Sequence, residues 1–155
     1  MNIAQRLRDL GIQLNELQRP LGSYVPCVET GTLLFLSGVL PLRDGKLART
    51  GKVGETVTLQ QAQEDARQVA INALSILHAH MGSLERVKRC VKVNGFIASS
   101  PGFTQQPAVL NACSDFLVEV FGGDAGRHAR SAVGVAVLPL DAPVEIDFIF
   151  EITPQ

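Results

Sequence analysis

The sequence predicts an α+β domain, a mixed β-sheet carrying two helices on one face. Three observations lead there. Strand-like runs adjoin one another between Val25 and Gly38, and again between Ala129 and Ile152. Two helical patterns lie between them, one over 58–82 and one from about Pro107, separated by another strand-like run. Neighbouring strands in runs, rather than strict strand–helix alternation, distinguish this class from a parallel α/β sheet.

A chain of 155 residues with 46% hydrophobic content can bury a proper core but is short for two ordinary domains, so 1–155 reads as one domain. Charged residues are 19% and the net charge is −1, which marks no general nucleic-acid or membrane surface. Cys27, Cys90 and Cys113 lack metal-like spacing and suggest reduced thiols in a cytoplasmic protein. His78, His80 and His128 form no tight cluster with them, which argues against a structural zinc site. No apolar run approaches the ~20 residues of a membrane span, and the N-terminus lacks the pattern of a secretion signal.

Residues 1–20 read as a helical extension. Ile3, Leu7, Leu10 and Leu14 recur at helical spacing, Gly11 interrupts them, and residues 2–10 are expected to be a short amphipathic helix. A targeting peptide is the rival, and Asp9 argues against it. Pro20–Tyr24 reads as a turn into an edge strand at Val25–Val28, where Pro26 cannot donate to a ladder. Thr32–Gly38 is nearly all apolar and reads as a central strand, with Ser37 and Gly38 at its end as a cleft edge. Residues 39–57 are expected to be a solvated, flexible loop turning at Arg43–Lys46. Its basic residues Arg43, Lys46, Arg49 and Lys52 leave an anion-binding loop as the less favoured alternative.

Thr58 and Gln61 form a capping box, and Ala62, Ala66, Val69, Ala70, Ala73 and Leu77 keep one helical face apolar until Gly82 closes it near Met81. His78 and His80 fall in the last turn, where cations favour the dipole. Val87, Val91 and Val93 mark the next strand, with a bulge expected at Gly95. The second helix buries Val109, Cys113, Phe116, Leu117 and Val120, is stopped by Gly122–Gly123, and leaves the Asn111 amide off its apolar stripe.

In the last segment Val133, Val135 and Val137 alternate with Ala132, Gly134 and Ala136, and Arg130 stands at the head of the small-residue face. Small side chains leading to a guanidinium leave room for a flat ligand, and the planar fork suits a carboxylate or phosphate. Ile146, Phe148, Phe150 and Ile152 form the buried face of a final strand, opposite Glu145, Asp147 and Glu151. Pro139–Pro143 reads as a hairpin turn joining the two strands. In such a hairpin Arg130 and Glu145 lie some six residues apart, roughly 20 Å. They can then share a site only between chains, so an oligomer with intersubunit clefts is expected.

Gly22–Val25, Leu36–Gly38, Asn111, Ala129–Ser131, Leu138–Pro139 and Val144–Ile146, in this order and spacing, resemble the reactive-intermediate deaminases, the YjgF/RidA family. The likeness runs from about Gly22 onward. The long N-terminal segment and the Gly122–His128 insertion resemble a divergent subgroup, whose members are often described only as family members or endoribonucleases. The resemblance implies a chorismate-mutase-like fold, a homotrimer with clefts between subunits, and hydrolysis of reactive enamines and imines of amino acids to 2-keto acids and ammonia without any cofactor. It also implies that Arg130 clamps the substrate carboxylate, that Glu145 positions water, and that Tyr24, Ser37 and Asn111 belong to the cleft. Two positions depart from the family pattern. Ala132 stands where a cysteine is frequent, and His128 where proline is common.

Hydrolysis of a 2-imino acid fits these residues. Arg130 holds the carboxylate, Glu145 activates water and returns a proton to nitrogen, Tyr24 walls the pocket, and His128 is a candidate replacement proton carrier. Each residue has a plainer role. Arg130 is equally suited to an interface ion pair with Glu145 itself; Glu145 suits an outward strand charge, and His128 an exposed loop. Two other functions remain: a non-catalytic small-carboxylate-binding module, and an endoribonuclease. The second ranks last, because aromatic residues are 5% and Trp is absent, leaving little to stack on bases.

Overall fold

A computed structural model of the protein describes residues 2–15 and 22–154. The expected turn at Pro20–Tyr24 and the end of the N-terminal extension lie partly outside these residues. Helix α1 (Ile3–Asp9) is capped by the Asn2 side chain, which accepts from Gln5 N at 2.8 Å. Leu7 is its buried residue, and the Arg6 guanidinium donates to the Val120 carbonyl near the end of the second long helix, at 3.0 Å. That carbonyl is one a helix terminus leaves without an internal partner.

Five strands make the main sheet: β1 (Cys27–Thr30), β2 (Leu33–Val39), β5 (Val87–Ala98), β6 (Ala129–Val135) and β7 (Val144–Ile152), in the order β1-β2-β7-β5-β6. β5 and β6 run parallel; the other neighbours are antiparallel. β1 is an edge strand and Pro26 stands just outside it, as its missing N–H requires. Helices α2 (Leu59–Met81) and α3 (Gln106–Phe121) cover one face. The core between them and the sheet contains Leu74, Leu77, Leu110, Phe116, Phe148 and Phe150, all fully buried. α2 begins on the Thr58–Gln61 capping box and ends at Gly82 in the left-handed region (φ 76°). Cys90 and Cys113 are buried in the core, and burial pushes the Cys90 thiol up to about 12, so both serve as small apolar groups. Among the described residues no helix is long and apolar enough to cross a membrane.

Several expectations are corrected. β6 and β7 form no hairpin, because β5 is inserted between them. The Pro139–Asp141 turn, with Leu140 and Asp141 both at φ 58°, is instead part of a connection that passes over the end of β5. The bulges of β5 lie at Val87/Arg89 and Cys90/Lys92, and Gly95 keeps regular register. Glycine is needed there for another reason: a Cβ would stand 2.6 Å from Leu110 Cδ2, so α3 packs directly on the strand backbone. In β6 the small face turns to α3 and the branched face is open, Val133 being 45% exposed.

The 39–57 segment is anchored. It contains a small ribbon, β3 (Leu42–Arg43) with β4 (Lys46–Leu47), turning at Asp44–Gly45. Arg43 donates to Gln68 Oε1 at 2.6 Å, and Arg49 pairs with Glu64 at 2.9 Å and Asp65 at 3.0 Å. Asp65 is 4% exposed, and its Oδ2 has no partner among the described residues. Burial outweighs Arg49 and pushes the Asp65 carboxyl up to about 6. A raised carboxyl pKa contributes stability below the usual value of about 4, which is lost as pH rises through 6. Asp65→Asn keeps an acceptor for Arg49 and removes the buried charge. Its thermal midpoint is expected above wild type at pH 8, by up to roughly 3 kcal/mol of stability, and equal to it near pH 4. A lower midpoint for the variant at pH 8 would mean that the ion pair outweighs the burial.

Candidate functional site

The predicted site residues fall into two separate groups. Glu145, Tyr24 and Ser37 line one open cleft with Gly38, Leu40 and Pro139, a space of about 590 Å³. Arg130, Asn111 and His128 gather elsewhere, against the first half of α3. β5 serves as a ruler between them. Arg130 is level with Val93 and Glu145 with Phe96. That is three residues along the sheet and two strands across, roughly 10 Å in each direction. Val93 is buried under the helices whereas Phe96 lies on the opposite face. Directly paired residues share a face, so Arg130 projects on the helix side and Glu145 on the open side. The six residues and roughly 20 Å expected of a hairpin are not found: the two side chains are three residues apart along the sheet, and what keeps them apart is the intervening strand and the change of face.

The Glu145 cleft is made by a bulge. β2 shifts register against β7 between Leu36 and Val39, so Ser37 and Gly38 lie within the strand and not at its end. A Cβ at Gly38 would collide with the Glu145 carboxylate, which packs directly on that bare backbone. Ser37 Oγ donates to the Val25 carbonyl at 2.7 Å, tying β2 to the segment that carries Tyr24. Tyr24 is half exposed. Burial, and then the Asp147 charge two residues along the same face, raise the Glu145 pKa above the usual carboxylate range. Asp147 is itself held by Asn94 Nδ2, which donates to it at 2.7 Å.

Arg130 is tethered. Its Nη1 donates to Asn111 Oδ1 at 2.8 Å and to Ser114 Oγ at 3.1 Å, and its Nη2 to the Pro107 carbonyl at 3.3 Å. A guanidinium has five donors. Among the described residues Nε–H and one Nη2–H have no acceptor, and Nε and Nη2 together make the guanidinium edge that can take both oxygens of a carboxylate. The room expected beside Arg130 is partly filled: over Gly134 sit Gln106 Nε2 and the Ser99 side chain. His128 is half-buried rather than an exposed loop residue, with Nε2 2.9 Å from Ser114 Oγ and Nδ1 2.7 Å from the Gly126 carbonyl. Sequence reasoning missed Ser114. Its signal was its place three residues after Asn111, on the same side of the helix.

Residues 4–152 match the sequence profile of a family described as "YjgF/chorismate mutase-like, putative endoribonuclease". The chain is 45% identical over 150 residues to Protein TCP17 of Trypanosoma cruzi, covering 97% of this chain and 94% of that one. It is 34% identical over 131 residues to the 2-iminobutanoate/2-iminopropanoate deaminase of the mite Dermatophagoides farinae, covering 84% and 87%. Among solved structures, one from Shewanella oneidensis, likewise described as a "putative endoribonuclease", superposes with a TM-score of 0.94 at 30% identity, covering 98% of this chain and all of that one.

Proposed function

The chain belongs to the YjgF/RidA family and has its chorismate-mutase-like α+β fold, and from that premise we propose that it hydrolyses reactive 2-imino acids to 2-keto acids and ammonia, in clefts shared between the subunits of a homotrimer. The observation that carries this reading is the pairing of two incomplete half-sites. One is a tethered guanidinium with a carboxylate-spaced edge left open. The other is a half-buried carboxylate of raised pKa in a cleft with Tyr24 and Ser37. They face apart within one chain, so a complete site needs the Arg130 side of one subunit against the Glu145 side of the next. The open sheet face supplies apolar surface for that contact, Val28 being 54%, Phe35 39% and Val133 45% exposed. The name of the mite relative supports the chemistry.

The reaction needs three acts. The Nε–H/Nη2–H edge of Arg130 holds the substrate carboxylate. Glu145 takes a proton from water as its oxygen adds to the imine carbon, and returns a proton to the nitrogen. Glu145 then takes the proton of the new hydroxyl and delivers it to the amine as the carbon–nitrogen bond breaks, so that both protons of the water leave with the ammonia and the 2-keto acid remains. A raised pKa makes Glu145 a better proton acceptor than an ordinary carboxylate once it is ionised. Tyr24, Leu40 and Pro139 wall the cleft.

The test pairs assembly with turnover. Sedimentation at micromolar concentration is expected to give a trimer, and freshly generated 2-imino acids to release ammonia and keto acid. A 16.6-kDa monomer would remove the shared cleft and the site with it. Clear keto-acid binding without turnover of any imino acid would favour the binding module. RNA cleavage without deamination would return the endoribonuclease reading.

A further inference from the structure

Ser114 and His128 line no part of the Glu145 cleft, yet an unbroken line of hydrogen bonds joins them to Arg130. His128 Nδ1 lies 2.7 Å from the Gly126 carbonyl, which can only accept, so Nδ1 carries the ring proton. Nε2 of the neutral ring then accepts from the Ser114 hydroxyl at 2.9 Å. With its one proton committed to the imidazole, Ser114 Oγ turns a lone pair to Arg130, whose Nη1 donates to it at 3.1 Å. Asn111 Oδ1, one helical turn away on α3, takes the other Nη1 proton at 2.8 Å.

We propose that Ser114 and His128 are positioning residues for Arg130: the neutral His128 ring fixes the Ser114 hydroxyl, and the hydroxyl holds Nη1 so that the Nε–H/Nη2–H edge faces a ligand carboxylate. The proposal rests on the reading of Arg130 as the carboxylate anchor. It gives His128 a role different from proton carriage in the cleft, because both its ring nitrogens are already engaged within the chain.

Protonation of His128 reverses the line. Nε2 becomes a donor, the Ser114 proton loses its acceptor, and a cation then faces the guanidinium. Burial, and to a lesser degree the Arg130 charge, lower the His128 pKa against the bond to Gly126, which favours the neutral ring near pH 7. The charged groups on the surrounding elements are Arg127 and Arg130 on its own segment, Asp115 and Glu119 on α3, Asp124 on α4 (Gly123–Gly126), and Lys88, Arg89 and Lys92 on β5. Of these, Arg130 is the one whose charge shifts the imidazole.

Ring-nitrogen NMR of the full chain tests the arrangement without any ligand. The Nδ1–H tautomer is expected for His128, with titration below that of a free histidine, and Arg130→Gln is expected to raise that titration point. Calorimetry with pyruvate as the probe at pH 7.5 tests the positioning. Ser114→Ala and His128→Ala are each expected to weaken binding by roughly three- to tenfold, and the double variant by no more than the worse single one, because the two act in series. Ser114→Thr, which keeps the hydroxyl, is expected to restore most of the affinity. Wild-type affinity is expected to fall several-fold as His128 protonates, and this fall to vanish in His128→Ala. An Nε2–H tautomer, additive losses in the double variant, or equal losses in Ser114→Ala and Ser114→Thr would overturn the proposal. Should wild-type protein bind no pyruvate, the carboxylate-anchor reading fails, while the tautomer and the Arg130→Gln shift still decide whether the line of bonds exists.

Discussion

Glu145→Gln is expected to lower 2-imino acid hydrolysis by about 10²-fold or more, the usual contribution of a positioned general acid–base. Pyruvate binding by the same variant is expected to stay within a few-fold, because the proton transfer belongs to the transition state and not to the ground state. The substitution is nearly isosteric, and the amide fits where the carboxylate already packs on the Gly38 backbone. Stability at neutral pH is not expected to fall. A carboxyl whose folded pKa is raised contributes stability only below its ordinary titration range, and loses it as pH rises through the folded value. The wild-type rate is expected to climb with pH as Glu145 ionises, over a range above that of an ordinary carboxylate, and the variant to lack that climb. Turnover unchanged by the substitution would remove Glu145 from the mechanism.

Arg130→Lys is expected to weaken pyruvate by roughly 1.5–3 kcal/mol, the range of a charged hydrogen bond, although the charge is kept. An ammonium is a point donor. It cannot bond Asn111, Ser114 and the Pro107 carbonyl while also presenting two parallel N–H groups to a carboxylate. Arg130→Ala should abolish calorimetric binding. If binding instead survives unchanged, the anion site lies elsewhere. The basic segment between Arg43 and Lys52 would be a poor substitute: Arg43 is already held by Gln68, and Arg49 by Glu64 and Asp65.

Most residues of the candidate site were legible in the sequence, Ser114 excepted, but their grouping was only partly so. Arg130 stands out at the head of a small-residue strand face, and Glu145 on the polar side of a strand whose alternation is regular. The resemblance assigns Asn111, Tyr24 and Ser37 alike to an intersubunit cleft with Arg130; within one chain Asn111 lies with Arg130, and Tyr24 and Ser37 with Glu145. Nothing within β6 or α3 alone says that they face each other. That contact joins residues 16 and 19 positions apart through a sharp turn at Gly122–Gly126. Ser37–Gly38 was noticed as a small-residue pair, but a strand end and a bulge have the same local chemistry. The partner strand, β7, decides between them.

By itself the sequence determined the class of fold, the bounds of α2 to its capping box and closing glycine, and the chemical identity of the candidate groups. Each of these is written within a few turns or strand residues, where side-chain period and capping act locally. The tertiary structure alone decided that β5 lies between β6 and β7, and its register on both neighbours sets Arg130 level with Val93 and Glu145 with Phe96, on opposite faces. Strand order is a choice among non-local pairings. The short segment Pro139–Pro143 is compatible with a tight hairpin, but the fold uses it to cross over a strand. What selects the crossover is burial. With β5 held inside the sheet between β7 and β6, its Cys90, Val93 and Ile97 lie fully buried beneath the helices, whereas the β6 strand, whose helix-side face is nearly bare of side chains, is left at the edge.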